Sequence, residues 1–515
     1  MRSDLKSSQA IGLLASLTGV ANAFWRMPCG GRVSLERADP IIDPGQVSGH
    51  VHTISGGNGF GFSMNYNQAR ESECSSCPLR QDLSNYWTPK LYYLYQNGSV
   101  IDVPQAGEGN GATGGMTVYY QQRYSKDETT VQAFPENFRM VAGDPFQRND
   151  TGLEAAPGHA VSFVCLDYSS TSPQTNAIPN TNCPDGLRAQ IYFPSCWDGV
   201  GDGQSGDHKS HMAYPINAGT YDNGDCPTSH PHRLISIFYE VIYSIDSFKD
   251  MWYDNDKHPF VFAQGDRTGY GFHGDFVNGW NVTYLQNAAD ECTNDSGLMS
   301  DCAPFNANVT AQQFTSDEQQ ACRIPPSVDE EVTGILPRLP GCNTPTDGPE
   351  YAPPPATCNV QSKIGLVATY FTDVTKSLDW AYQGCGIDNY FKRTFTGAST
   401  TGNMTVENCI SFCKDKGYSL AGLEYADQCY CDNTYQQPNT APVKNVMGAC
   451  SMKCSGDSGE ICGGSSALSI YKACDGGACD NSAYNPLGKS TATDTSSTKH
   501  KRHLGQHRHH LHHAS

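Results

Sequence analysis

The chain has 515 residues, enough for two or three domains. Only 17% of them are charged and the net charge is −19. That balance excludes nucleic acid as a partner, because phosphate binding needs a basic surface, and it disfavours docking on anionic lipid.

Residues 1–23 read as an export leader. Arg2 and Lys6 make a positive start, Ala10 to Ala21 is an apolar run without charges, and Ala21-Asn22-Ala23 fits the small-x-small cleavage rule. Cleavage there makes Phe24 the mature N-terminus. The run is too short for a stable bilayer anchor, and no later stretch is long and apolar enough to span a membrane.

Residues 24–290 carry most of the aromatic side chains and a repeated texture of short strands and turns. Lys90-Leu91-Tyr92-Tyr93-Leu94-Tyr95 followed by Asn97-Gly98 predicts a strand entering a hairpin turn. Met116 to Tyr120 predicts another strand, and the β-branched and aromatic run Ile235 to Ile245 a buried one. The expected fold is mainly β: an N-terminal β-sandwich or jelly-roll-like domain, then a small disulfide-rich α+β domain. Residues 291–378 read as a Cys- and Pro-containing extension and linker, part of which folds back on the first domain. Residues 379–473 form a compact cysteine-rich block. Residues 474–515 end in a Lys-, Arg- and His-rich tail with too few apolar residues to pack, read as disordered.

The 22 cysteines read as disulfides in an exported chain. Twelve precede residue 360, eight lie between Cys385 and Cys462, and Cys474 and Cys479 remain, so each group can close on itself. The pairing stays open. Thr405 to Cys413 predicts a helix carrying two half-cystines one turn apart. Sequons at Asn97, Asn149, Asn281, Asn294, Asn308 and Asn403 fit a glycosylated surface.

Nine of the 16 histidines precede the tail, and seven of these fall into four clusters: His50 and His52, His208 and His211, His230 and His232, and His273 beside Asp275. An H-x-H pair on a strand turns both rings to one face, where two imidazoles can share a metal. His208 and His211 meet if their segment is helical. The candidate catalytic residues are His50, His52, His208, His211, His273 and Asp275, with His50, His52, His208 and His211 as candidate ligands of one divalent metal ion. The alternative is that each histidine braces a loop; His159 and His258 stand alone and take that reading. A copper site of the histidine-brace type is excluded by Phe24 at the mature terminus. No H-E-x-x-H or G-x-S-x-G motif occurs. Gly456-Asp457-Ser458-Gly459 resembles a serine-protease nucleophile segment, but it lies inside the cysteine block without a suitably placed His.

Residues 379–473, with eight cysteines, the Cys429-x-Cys431 pair and the closing Cys462-Gly463-Gly464, resemble the WSC (cell-wall stress component) domain of fungi. The resemblance implies binding of β-glucan or a related cell-wall polysaccharide. Sugar rings stack on exposed aromatics, and Tyr382, Tyr425 and Tyr430 are the candidate platforms. Phe24-Trp25-Arg26-Met27-Pro28-Cys29, Arg37-Ala38-Asp39-Pro40-Ile41, Ser48-Gly49-His50-Val51-His52 and Gly269-Tyr270-Gly271-Phe272-His273-Gly274-Asp275-Phe276 resemble a secreted, mainly fungal domain-of-unknown-function family often joined to a WSC module. It implies that the His and Asp segments share one domain and supplies no activity. The expectation is a secreted wall-polysaccharide-binding protein whose first domain is a glycoside hydrolase or polysaccharide lyase. The alternative is a non-catalytic wall protein with two binding modules.

Overall fold

The computed structural model describes residues 23–481 except 110–111, 124–129, 151–159, 217–222, 254–256, 325, 354–357, 359–361, 365–370, 389–392, 437–449, 451, 465 and 478. Residues 1–22 of the expected leader, His159 and most of the His-rich tail lie outside the described residues.

The mainly-β fold is found. A six-stranded sheet runs in the order Phe24–Cys29, Met116–Gln121, Ser236–Tyr243, Leu187–Tyr192, Val161–Cys165, Gln174–Thr175, with every pairing antiparallel. A five-stranded antiparallel sheet runs Ser34–Glu36, His52–Gly56, Asn85–Pro89, His273–Val277, Arg139–Gly143. Alternating side chains of both sheets meet in one core, with Tyr120, Ile191 and Tyr239 from the first and Tyr86, Met140 and Phe276 from the second. The predicted hairpin is present: Leu91–Leu94 pairs with Val100–Asp102 across a turn in which Gly98 has φ 85°.

The other face of the five-stranded sheet is also covered. Ile54, Trp87, Val141 and Val277 point outward and pack under Val33, Ala38, Ile41, Phe60, Met64, Ala69 and Ile324. This second layer explains why His52–Gly56, Asn85–Pro89 and His273–Val277 are buried at every position: their strands have no solvent face, so apolar-polar alternation is absent.

The stretch after residue 290 is stitched to this sandwich. Cys322 bonds Cys74, Ile335–Leu336 pairs with Val100–Ile101, and Glu36 accepts from the backbone N–H of Ser327 and Val328.

The second unit is a five-stranded antiparallel sheet, in the order Trp380–Ile387, Ala398–Thr401 at the two edges with Ala467–Ala473, Leu420–Glu424 and Gln428–Asp432 between them, crossed by the helix Val406–Asp415. Thr405 caps that helix by accepting from the Asn408 N–H. Cys409 and Cys413 stand one turn apart on the helix, and Cys429 and Cys431 two residues apart on a strand. Both spacings are about 6 Å, so the bridges Cys409–Cys429 and Cys413–Cys431 rivet helix to sheet side by side. All 22 cysteines are paired, and the bonds stay within the three groups read from the sequence. No helix among the described residues is long and apolar enough to cross a membrane.

Candidate functional site

Strand register brings histidines 221 residues apart to one point. His52 pairs with Pro89 and Asp275 with Trp87, so His52 and His273 flank Pro89 on the outward face of the five-stranded sheet. His50, just before its strand, turns its ring back beside them. The Nε2 atoms of His50 and His273 are 2.9 Å apart and those of His273 and His52 are 3.4 Å apart. The His52 ring lies 4.3 Å, centre to centre, from His50.

The other nitrogens fix the tautomers. His52 Nδ1 faces the Ala38 carbonyl at 3.2 Å and His273 Nδ1 the Gly271 carbonyl at 2.9 Å. A carbonyl only accepts, so both Nδ1 atoms carry the proton and both Nε2 atoms present lone pairs inward. Burial pushes His52 and His273 down to about 3, and burial with the neighbouring imidazoles holds His50 well below the usual range. All three rings are therefore neutral at ordinary pH.

Two carboxyl groups adjoin the rings. Asp39, His52 and Asp275 each offer a ligand atom within 4.8 Å of the others, as do His50, His52 and His273. Asp39 is held by the N–H groups of Ile41 and Ile42 at 2.9 and 3.0 Å. Asp275 is 1% exposed, sits in the row with Trp87 and Val141, and neither of its oxygens has a hydrogen-bond partner. Burial, then Asp39, pushes its carboxyl well above the usual range.

The structure corrects part of the expected constellation. His208 and His211 do not join the trio. Their segment is a turn gathered around Asp207, which accepts from Lys209 N and Ser210 N, and His208 has φ 60°, so the helical spacing that would bring them together is absent. Both ring nitrogens of His211 are engaged, with Ser205 Oγ at 2.8 Å and the Arg139 carbonyl at 2.9 Å. His230 bonds Ser229 Oγ and the Ser210 carbonyl, and His232 packs on Trp197. These are braces.

The loops around the trio are held by residues 330–352. Glu330 pairs with Arg37 at 2.6 Å, Asn343 donates to the Gly49 carbonyl, Thr346 Oγ1 accepts from Arg148, and the Tyr351 hydroxyl donates to Asp144. Gly143, paired with His273, has φ 82°, and a Cβ there would lie 2.6 Å from the Phe272 carbonyl oxygen. Gly143→Ala is expected to cost about 2 kcal/mol or more, read as a lower unfolding midpoint in denaturant; an unchanged midpoint would show that the strand beside His273 yields freely.

In the second unit the three expected tyrosines part company. Tyr382 is 1% exposed, stacked on Phe371 at 5.0 Å and against Tyr471, and is a core residue. Packed between Phe371, just outside the cysteine block, and Tyr471 within it, the ring has no free face for a sugar, which corrects its reading as a platform. One face of Tyr430 is covered by the Arg393 guanidinium at 4.7 Å. Tyr425 is 54% exposed, at a turn where it has φ 50°. Beside it Glu424 and Asp388 both hold Arg393, while the Tyr430 hydroxyl donates to Gln428. Sequence reasoning missed Asp39, although it stands in a quoted motif, and Arg393, Asp388 and Glu424; nothing in the local sequence distinguishes them from other charged residues, although the three carboxyls are buried.

The architecture is thus a two-part, disulfide-stapled β protein: a sandwich with an imidazole trio, two of its rings buried and one half-buried, and a small helix-on-sheet module. Family models place both parts. Residues 39–280 match the domain of unknown function DUF1996 and residues 382–464 match the WSC domain. The chain carries a DUF1996 domain in its N-terminal part and a WSC domain in its C-terminal region. Similar proteins include a WSC domain-containing protein of Arthroderma benhamiae, 40% identical over 97 residues, 18% of this chain and 10% of that protein. A putative fungistatic metabolite of Chaetomium globosum is 38% identical over 94 residues, 18% of this chain and 41% of that one. Kremen protein 2 of Mus musculus is 35% identical over 92 residues, 18% of this chain and 20% of the other. The matched stretches span less than half of each of these relatives.

Proposed function

We propose that this chain is an exported protein held on β-glucan or a related cell-wall polysaccharide by its WSC domain, and that its DUF1996 domain acts on the same class of polymer through His50, His52, His273 and Asp275. The observation that carries the first part is Tyr425, a large exposed ring on a left-handed turn, on the same sheet end as Tyr430, around which Arg393, Glu424 and Gln428 gather. An apolar face bordered by hydrogen-bonding groups suits a sugar ring. Eleven disulfides in the described residues fit an oxidising, extracellular compartment. The reaction, if the first domain is catalytic, is cleavage of a glycosidic bond by hydrolysis or elimination.

The test is retention of the full chain on insoluble β-glucan, chitin, cellulose and xylan. Tyr425→Ala is expected to weaken retention about fivefold, the worth of about 1 kcal/mol of stacking, with the fold unchanged. Tyr382→Ala is expected instead to destabilise the module by about 3–5 kcal/mol. Equal retention by the parent and Tyr425→Ala on all four solids would refute the assignment of the platform. A second reading, a purely adhesive wall protein, is favoured by the burial of His52, His273 and Asp275, which keeps a polymer from touching them directly. Soluble sugar released by the parent and lost in His273→Gln separates the readings.

A further inference from the structure

We infer that His50, His52 and His273 bind one divalent transition-metal ion through their Nε2 atoms, with Asp275 as the balancing carboxylate. The site goes beyond the polysaccharide reading and stands or falls separately from WSC retention.

Four observations converge. First, the three Nε2 atoms point at one another rather than at protein donors. Nitrogen ligands about 2.0–2.1 Å from a single ion stand about 2.8–3.4 Å apart for arrangements between right-angled and tetrahedral; the two contacts here are 2.9 and 3.4 Å.

Second, the outer nitrogens of His52 and His273 each donate to a backbone carbonyl, of Ala38 and Gly271. That is the arrangement that orients a metal-binding imidazole and fixes its tautomer.

Third, hydrogen bonding among the rings does not account for the geometry. His50 has at most one Nε2 proton to give, and it satisfies only one of two buried acceptors. The 3.4 Å contact between His52 and His273 remains a meeting of two lone pairs away from water, a costly arrangement without a cation.

Fourth, Asp275 is a fully buried carboxyl with two unpartnered oxygens, on the same sheet face as His273 and grouped within 4.8 Å with His52 and Asp39. A buried acid without partners calls for a positive charge. Lys209 acts on it electrostatically but makes no hydrogen bond to it, its ammonium donating to the Gly143 carbonyl at 2.6 Å.

The donor set selects the metal class. Three imidazoles suit zinc, copper, nickel or iron, whereas magnesium and calcium prefer all-oxygen shells. His50 is the half-buried member while its partners are buried, so the open side of the ion lies beside His50. A fourth position reached from there admits water or a substrate oxygen, and a metal-bound water is acidified toward neutrality.

The experiment uses the full chain with its seven tail histidines changed to asparagine, so that the tail adds no sites. After loading with zinc and gel filtration, elemental analysis is expected to give about one ion per chain, and cobalt in its place an absorption band of imidazole ligation. His273→Gln and Asp275→Asn are expected to weaken zinc binding at least about tenfold, and His211→Gln to leave it unchanged. His50→Gln, at the half-exposed position, guards against loss of the fold and is expected to weaken binding as well, with the near-UV circular dichroism of the parent. A parent that retains no zinc, copper, nickel or iron, or a folded His50→Gln protein that binds zinc as the parent does, overturns the site and leaves an imidazole cluster held by hydrogen bonds only.

Discussion

Replacing Cys74 and Cys322 together by serine is expected to lower the unfolding free energy by about 5 kcal/mol. The bond joins residues 248 apart, the longest loop closed by any bridge in the described chain. Cross-linking removes unfolded-state entropy that grows with the logarithm of loop length, so this bridge outweighs short ones such as Cys454–Cys462, separated by 8. Both sulfurs also lie in the apolar layer that covers the outer face of the five-stranded sheet, with Trp87 and Ile324. Guanidinium unfolding of parent and variant, followed by tryptophan fluorescence, measures the difference. A loss below about 1 kcal/mol would mean that packing alone holds the extension and that the unfolded chain is already compact.

The second large effect is a pH dependence carried by His258. This ring is 2% exposed, its Nδ1 accepts the Phe260 N–H, and burial, then the charges of Arg267 and Lys257, pushes it down to about 3. A group whose folded value lies below its unfolded value of about 6.5 contributes stability that is present above that value and lost as pH falls through the folded one. Between pH 6.5 and 3 the unfolded chain takes up a proton that the folded chain refuses. His258→Asn keeps an acceptor for the Phe260 N–H and removes the titration. The parent is therefore expected to lose about 1.4 kcal/mol more per pH unit than the variant on acidification, about 5 kcal/mol over the whole window. Taking the difference between the two proteins matters, because buried carboxyls such as Asp82, raised by burial to about 6, and Asp275 act in the opposite sense. Parallel stability curves from pH 7 to 4.5 would show that His258 gains or loses its proton equally in both states.

Local chemistry made much of the fold legible before any coordinates. Asn97-Gly98 reads as a hairpin turn and Thr405 to Cys413 as a helix, and both are found, whereas the pairing inside each cysteine group stays open until helix phase and strand register are known. Strands buried on both faces were harder, since His52–Gly56 and Asn85–Pro89 show no alternation to read. The candidate site divided along the same line. His50 and His52 belong together because two positions along extended chain repeat a face. His273 joins them through the register against Pro89, which no short-range pattern encodes. His208 and His211 resembled an equally good pair, and the turn around Asp207 sends them elsewhere. Tyr382 and Tyr425 were indistinguishable as letters; one completes a core and the other caps a turn.

The grip of residues 330–352 on the sandwich bears on how the first domain can be handled in isolation. A fragment ending at residue 280, where the family match ends, would retain seven half-cystines, from Cys29 to Cys226, with Cys74 deprived of its mate. It would also strip the carboxylate of Glu330 from Arg37 and expose the apolar surface beneath Ile324. In an oxidising secretory pathway an orphan thiol beside a bared patch invites scrambled bridges and covalent dimers. Inactivity of such a fragment would report on where it was cut rather than on what the histidines do.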